Sequence, residues 1–133
     1  MIPPFDQHGY LPSGIHLATL EEIRHRFGQT SELRRSQMES LEWLIPTCKR
    51  AGIIRLIING SFVTDVEEPN DVDCALLAGD GYNPQSMAAA ALDKGLPFLS
   101  LQIVREAAFD QLARTFFATD RLGRSKGVVE VVL

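Results

Sequence analysis

The stretch that decides the fold is Ile53-Ile-Arg-Leu-Ile-Ile58, which runs directly into Asn59-Gly60-Ser61. Isoleucine is β-branched and favours extended backbone, and glycines at positions 52 and 60 mark the two ends of the run. The pattern therefore predicts a buried strand near the centre of a sheet.

A second strand is predicted at Asp71-Val-Asp-Cys-Ala-Leu-Leu77. Side chains of a strand alternate between the two faces of the sheet, so Val72 and Cys74 share one face. Asp71 and Asp73 share the other. One face of this strand is thus apolar, and the opposite face begins with two carboxylates.

Helices alternate with these strands. The stretch Thr19-Leu-Glu-Glu22 has the spacing of a capping box and predicts the start of a short helix. A long helix is predicted over residues 30–51, with its apolar side opposite the pair Arg34 and Arg35. Pro46 lies inside this span and lacks a backbone N–H, so it predicts a kink or a break near Leu44.

The rest of the chain completes the fold class. The further predicted elements are a helix over residues 87–92, a strand over 98–104, a helix from 107 to about 117 and a strand over 128–133. Residues 1–16 are rich in Pro and Gly and suit an extended arm packed on the domain. We therefore predict a single domain over residues 1–133 of the α/β (α+β) class, with a mixed β-sheet of about four strands flanked by helices.

Composition and charge exclude several classes of protein. The chain has 133 residues, of which 45% are hydrophobic, enough for a core without disulfides or a structural metal. Its net charge of −4 disfavours general attraction to phosphate backbones or anionic lipid, so any nucleotide site must be local. We expect a cytoplasmic protein without membrane contact, because no secretion signal and no apolar run of roughly 18 residues is present. Cys48 and Cys74 lack zinc-ligand spacing and are predicted to be buried.

The residues with the clearest chemical potential follow the first strand and begin the second. A glycine-serine pair, Gly60-Ser61, allows a sharp turn that leaves backbone N–H groups free to bind phosphate oxygens. Asp71 and Asp73 project from one face, roughly 7 Å apart at the Cα atoms. Two carboxylates at this spacing suit Mg²⁺, which can also bind the phosphates of a substrate.

The order of apolar strand, Gly-Ser, nine further residues and Asp-x-Asp resembles the nucleotidyltransferase superfamily related to DNA polymerase β. More narrowly, several stretches resemble a group of small bacterial proteins in that superfamily. They are Gly9-Tyr-Leu-Pro-Ser-Gly-Ile-His16, Gly60-Ser-Phe-Val-Thr64, Pro69-Asn-Asp-Val-Asp73, Phe116-Phe-Ala-Thr-Asp-Arg121 and Lys126-Gly-Val-Val129. The resemblance implies a nucleotidyltransferase-like sheet.

The same resemblance implies roles for individual residues. Gly60 and Ser61 would bind a nucleoside triphosphate such as ATP, with Thr64 as a further nucleotide contact. Asp71 and Asp73 would bind Mg²⁺ or Mn²⁺ and act in catalysis. A nucleoside monophosphate would pass to an acceptor hydroxyl, and pyrophosphate would leave.

The sequence departs from the superfamily pattern in two places. The third predicted strand carries Ser100 and Gln102 where a third carboxylate is expected, and neither can replace it as base or metal ligand. Glu130, on the last strand, is the remaining candidate for that catalytic acid. Val66 stands where such proteins often carry a phosphate-binding lysine. Other cations could take the place of that lysine, namely Lys126, Arg105, Arg121 and Arg124. The alternative is that these are solvated turn residues without a role in binding.

Three functional hypotheses follow. The first is a metal-dependent nucleotidyltransferase acting on an unknown protein, RNA or small-molecule acceptor. A partner protein or a second copy of the chain would supply the acceptor surface, as in a toxin–antitoxin-like module. The second is a non-catalytic nucleotide-binding or partner-binding member of the same fold. The third is a metal-dependent phosphohydrolase that uses water as acceptor.

Overall fold

The computed structural model describes residues 1–116 and 119–133. Within them, five strands form one mixed sheet. The strands are β1 (Ile15–Ala18), β2 (Ile53–Asn59), β3 (Val72–Ala78), β4 (Leu99–Val104) and β5 (Val128–Val131). Their order in the sheet is β1-β5-β2-β3-β4. The predicted central position of the strand at residues 53–58 is confirmed, because β2 lies between antiparallel β3 and β5.

Strand β1 corrects the expected number of about four strands. It begins inside the segment predicted as an extended arm and pairs in parallel with β5, Ile15 lying opposite Val128. Its four residues carry little local strand signal, and the partner that stabilises them comes at the other end of the chain. A pairing of this kind depends on tertiary contacts, so the local pattern did not predict it.

Four helices are seen in the described residues. They are α1 (Leu20–Phe27), α2 (Glu32–Ala51), α3 (Met87–Lys94) and α4 (Glu106–Gln111), the last continuing as a π-helical turn over Leu112–Phe116. The capping box predicted at Thr19 is confirmed. Phe117, the last residue predicted for the fourth helix, lies outside the described residues. No helix of this part of the chain combines the length and apolar character needed to cross a membrane.

Helix α2 passes through Pro46 without a break, so of the two alternatives predicted near Leu44 the break is wrong, and the kink stays a prediction. The residues flanking the proline, Ile45 and Thr47, are buried, and their packing holds the helix together across the missing hydrogen bond. Gly52 ends the helix in the left-handed conformation, as expected for a glycine at this position.

The sheet has a helix layer on each face. The larger core lies between the sheet and α1, α2 and α3, and it contains Val72, Cys74 and Cys48. On the other face, called here the α4 face, Ala75 and its sheet neighbours pack against Phe109 of α4. The predicted alternation along β3 and the predicted burial of both cysteines are therefore confirmed.

Arg34 departs from the position predicted for it on α2. Its side chain is buried, and burial lowers the pKa of its guanidinium. The guanidinium donates hydrogen bonds of 2.6 to 3.4 Å to five backbone carbonyl oxygens, those of Phe27, Ser61, Phe62, Thr64 and Val66. Arginine fits this place because it has five N–H donors, and the irregular segment 61–66 leaves several carbonyls without strand or helix partners.

Two further polar side chains of α2 hold loops in the same way. The Gln37 amide donates to the carbonyl of Pro69 at 2.6 Å, just before β3. The Ser40 hydroxyl donates to the carbonyl of Pro97 at 2.8 Å, just before β4. Helix α2 therefore positions the segments that follow β2 and precede β3 and β4.

We predict that Arg34→Met lowers the free energy of unfolding by about 3 kcal/mol or more, because it leaves several buried carbonyls without donors. Urea denaturation measures this. The matched control is Arg35→Met, since Arg35 is exposed and its side chain makes one hydrogen bond, to the carbonyl of Gln29. It should change stability by less than about 0.5 kcal/mol. Equal losses in the two variants would contradict the anchoring role of Arg34.

Candidate functional site

Three polar side chains lie side by side where β2 ends and β3 begins. Asn59 of β2 is opposite Asp73 of β3, which in turn is opposite Ser100 of β4. Because Asp73 and Ala75 alternate with the core residues of β3, this polar row lies on the α4 face. The structure thus brings Asp73 to the end of β2, next to the glycine-serine turn.

Gly60 is in direct contact with Asp73. Its backbone has φ +83° and ψ −166°, a region essentially restricted to glycine. A Cβ atom at this position would overlap Oδ2 of Asp73. Glycine is therefore required here by the backbone conformation, and a Cβ atom would in addition force the Asp73 carboxylate to shift.

The segment after Gly60 is a single 3₁₀ turn over Ser61–Val63. The N–H of Thr64 donates to the carbonyl of Ser61, and the Thr64 hydroxyl donates to the same oxygen at 2.8 Å. This hydroxyl also accepts a hydrogen bond from the N–H of Val66. Thr64 is buried, so its side chain stabilises the turn, while Gly60 and Ser61 remain half-buried at the end of the sheet.

The two aspartates differ in environment. Asp71 is exposed and Asp73 is half-buried. Burial raises the pKa of Asp73, and the negative charge of Asp71 raises it further. The positive charge of Lys126 and the hydroxyl of Ser100 act in the opposite direction. Asp71 and Lys126 are therefore both near enough for their charges to act on Asp73, in opposite directions.

Lys126 reaches this place because β5 runs antiparallel to β2. The register that pairs Ile58 with Val129 brings the start of β5 beside the end of β2. Lys126 is half-buried, which lowers its pKa, while the carboxylates of Asp73 and Asp120 act to raise it. Among the cations predicted to replace the missing lysine, Lys126 is thus one that the fold brings to Asp73.

Asp120 organises the turn that precedes Lys126. Its carboxylate accepts hydrogen bonds from the Tyr10 hydroxyl at 3.0 Å, from Nε of Arg124 at 2.7 Å, and from the backbone N–H groups of Leu122 and Arg124. Desolvation acts to raise the pKa of Asp120, but these hydrogen bonds outweigh it and hold the pKa well below its ordinary value. The ion pair with Arg124 gives that arginine a structural role.

The other predicted cations lie elsewhere. Arg105 donates to the carbonyls of Ala78 and Gly79, at the opposite end of β3 from Asp73. Arg121 is exposed in the turn before Lys126. The structure therefore gives Arg105 a role in holding the end of β3.

Glu130, predicted as a third catalytic acid, is opposite Ile57 on β5. Its two carboxylate oxygens accept hydrogen bonds of 3.0 and 2.6 Å from the Arg55 guanidinium. Arg55 lies further from Asn59 along β2 than Ile57 does, so this ion pair directs Glu130 away from the polar row. A catalytic role for Glu130 stays a prediction, and it would require this ion pair to open.

Asn59 is a site residue that sequence reasoning missed. It is 6% exposed, and its Oδ1 is buried without a hydrogen-bond partner in the described part of the chain. Such an unpaired oxygen costs about 1–3 kcal/mol and is uncommon in folded proteins. Asn-Gly is a common turn sequence, so the local pattern gives Asn59 no role in a site. The register with Asp73 shows that its side chain belongs to the polar row.

The donor set at this point is small and oxygen-rich. Among residues 1–116 and 119–133, no three His, Cys, Asp or Glu side chains come together in a way that could hold a metal ion. The oxygen donors near the end of β2 are the carboxylates of Asp71 and Asp73 and the neutral oxygens of Asn59 and Ser100. Such a set suits hard cations better than zinc or copper.

We predict that Gly60→Ala destabilises the protein by about 2–3 kcal/mol, chiefly because alanine rarely adopts this backbone conformation. A smaller part of the loss comes from displacement of the Asp73 carboxylate. Urea denaturation measures the loss, and the control is the same substitution in an Asp73→Ala background, which keeps the backbone strain and removes the carboxylate. Equal losses in the two backgrounds would show that contact with Asp73 is unimportant.

Comparison with known proteins defines the family but no activity. No curated protein and no solved structure matches the chain. The model of a family of unknown function, DUF6932, matches residues 3–132. This match covers nearly the whole chain, and the protein therefore belongs to the DUF6932 family of unknown function.

Proposed function

We propose that the protein is a metal-dependent nucleotidyltransferase with a nucleotidyltransferase-like sheet, in which the end of β2 and the start of β3 bind a nucleoside triphosphate. The observation that carries this proposal is the contact between the Asp73 carboxylate and the backbone of Gly60. It joins a candidate cation ligand to a candidate phosphate-binding turn at one point. A cation–triphosphate complex needs both kinds of group within a few ångströms.

The phosphate side of the site would consist of backbone and one cation. In the turn after Gly60, the N–H groups of Val63 and Thr64 are bonded to the carbonyls of Gly60 and Ser61. The N–H groups that would face an anion at the end of the strand are those of Ser61 and Phe62.

Lys126, two residues before strand β5, adds a positive charge. Ser61 is half-buried and positioned by Arg34, whose guanidinium contacts the Ser61 carbonyl, so its hydroxyl can contact phosphate without loss of the turn.

The cation side fits Mg²⁺ or Mn²⁺ that arrives with the nucleotide. Mg²⁺ commonly binds to one or two carboxylates and completes its coordination with waters and substrate phosphates. Asp71 and Asp73 match that requirement, and the unpartnered Oδ1 of Asn59 is a further neutral oxygen beside them. When bound, the cation would neutralise charge that develops on the transferred and leaving phosphates.

The acceptor would come from outside the described site. Candidates are the hydroxyl of a protein, an RNA or a small molecule, with a partner protein or a second copy supplying part of the surface, as in a toxin–antitoxin-like module. The chain's own contribution is to hold the triphosphate at Gly60 and Ser61 and to orient it through Asp71 and Asp73.

A second candidate function is nucleotide or partner binding without catalysis. It is favoured by Ser100, a residue without a carboxylate, at the position of β4 opposite Asp73. The ion pair between Glu130 and Arg55 favours it as well, because it occupies the other acid predicted for catalysis. The two candidates share the nucleotide site and differ in whether transfer takes place.

We predict that Mg²⁺–nucleoside triphosphates bind the protein and that Asp73→Asn weakens this binding at least about tenfold, because it removes one of two anionic cation ligands. Isothermal titration calorimetry with each of the four nucleotides measures it. The control is Asp80→Asn, since Asp80 is exposed in the loop after β3, and it should bind as the wild type does. Absence of binding to the wild type, or equal binding by Asp73→Asn, would refute the proposed nucleotide site.

Transfer is tested separately with triphosphates labelled at the α-phosphate and a cell extract as the source of acceptor. Label that becomes attached to a macromolecule or small molecule, and does so only when Asp71 and Asp73 are intact, supports a transferase. Binding without transfer supports the non-catalytic candidate. Release of free monophosphate without any acceptor would point to a phosphohydrolase.

A further inference from the structure

Strand β4 forms one edge of the sheet. Among residues 1–116 and 119–133 it pairs only with β3, in parallel, from Leu99 to Val104. The backbone N–H and C=O groups of successive strand residues point to opposite sides, so about half of those in β4 point away from β3. Such a row of groups is a ready template for a further strand.

This edge does not have the features by which most proteins prevent edge-to-edge pairing. Those features are charged side chains, proline, a bulge or a very short strand. Strand β4 reads Leu-Ser-Leu-Gln-Ile-Val, six residues without charge or proline, and its pairing with β3 has no register shift. Strand β1, at the opposite edge, has only four residues. Of these two edges, β4 is therefore the one suited to pair with another strand.

The two faces of β4 differ in polarity. Leu99, Leu101 and Ile103 face α3, where they are half-buried and line a groove of about 350 Å³ together with the last turn of that helix. The side chains at positions 100 and 102 are polar and exposed. An added strand with the same alternation would cover the half-buried apolar side chains and leave the polar ones on the α4 face.

A second copy of β4 has this alternation. A two-fold axis perpendicular to the sheet at Leu101 pairs the two strands antiparallel. Leu101 then lies opposite Leu101 of the second copy, Leu99 opposite its Ile103, and Ser100 opposite its Gln102. Apolar side chains meet apolar ones on the α3 side, and a hydroxyl meets an amide on the α4 face, so the strand is complementary to itself.

The alternation also selects this register. A shift by one residue would place the apolar side chains of one copy opposite the polar ones of the other. A shift that centres the pairing on Gln102 would oppose the hydroxyl of Ser100 to the apolar side chain of Val104. Pairing about Leu101 avoids both mismatches.

Charges near the two ends of β4 are complementary in the same arrangement. Asp93, in the last turn of α3, lines the groove, and four residues after that helix lead into β4. Arg105 follows the last residue of β4 and is exposed. Antiparallel pairing brings the end of each strand beside the start of the other, so the arginine of one copy comes to the end at which the aspartate of the other lies.

We infer that two copies of the chain form a symmetric dimer through β4, which joins their two five-stranded sheets into one. The polar row of each copy then continues from Ser100 to Gln102 of the second copy. Adjacent strands are about 4.8 Å apart, so this amide lies roughly 10 Å from the strand that carries Asp73. The dimer goes beyond the proposed function and does not depend on nucleotide binding.

Sedimentation equilibrium of the full chain tests the dimer. We expect the wild type to be a dimer and Leu101→Lys to raise its dissociation constant at least about hundredfold, because two like charges would face each other at the axis. The matched control is Leu17→Lys on the other edge strand, where Leu17 is 57% exposed, and it should remain a dimer. Thermal unfolding of each variant checks that the fold is kept.

Leu101→Cys tests the register without adding charge. Directly opposite residues of antiparallel strands have Cβ atoms about 4.5–5.5 Å apart, close to the separation in a disulfide, so mild oxidation should link two chains of this variant. The matched control is Ile103→Cys. Its two copies would lie about 14 Å apart along the strands and should stay unlinked. The native cysteines, Cys48 and Cys74, are buried and leave both results unaffected.

A monomeric wild type would overturn the inference and point to an extended segment of another protein as the strand that pairs with β4. A dimer that persists in a folded Leu101→Lys variant, or that is lost in Leu17→Lys, would also overturn it. If Leu101→Lys does not fold, the cysteine variants decide, since equal linking of the two or no linking of Leu101→Cys contradicts the pairing about Leu101.

Discussion

The arrangement of the site depends on one buried guanidinium. Arg34 is 3% exposed and satisfies carbonyl oxygens along the segment that leaves β2. Several carbonyls of segment 61–66 have no partner in a strand or helix. Without a side chain that donates several hydrogen bonds, they would have to face solvent. Because the guanidinium holds them inward, the segment's first residues stay at the end of the sheet. Gln37 and Ser40 hold the segments before β3 and β4 in the same way, through hydrogen bonds to backbone carbonyls.

Several features at and next to the polar row reduce the stability of the fold. Asp73 is partly desolvated, Asn59 has a buried oxygen without a partner, and Gly60 has a backbone conformation that other residues avoid. Each of these reduces stability by an amount comparable to a buried methyl group or more. The two apolar layers that enclose the sheet supply the compensation. Local strain and unpaired polar groups of this kind concentrate where proteins bind ligands.

Local patterns predicted much of the fold and a smaller part of the site. The isoleucine run, the alternation around Cys74 and the capping box at Thr19 depend on neighbouring residues, so the sequence alone was sufficient for them. Arg34, Asn59 and Lys126 depend on partners that are distant along the chain. An arginine on a helix is ordinarily solvated, and only the position of segment 61–66 makes its burial favourable. The pairing of β1 with β5 was missed for the same reason.

The position of β5 has a consequence for the order in which the molecule assembles. It is the last of the described strands along the chain, yet it lies between β1 and β2. During synthesis on the ribosome, the hairpin of β2 and β3 and the strand β4 can pair as soon as they emerge, whereas β1 has no neighbour in the sheet until β5 has emerged. Strand β1 therefore has no partner in the sheet until residues 128–131 have been synthesised. Lys126 precedes β5 in the chain, so its positive charge also reaches the site only when β5 pairs with β2.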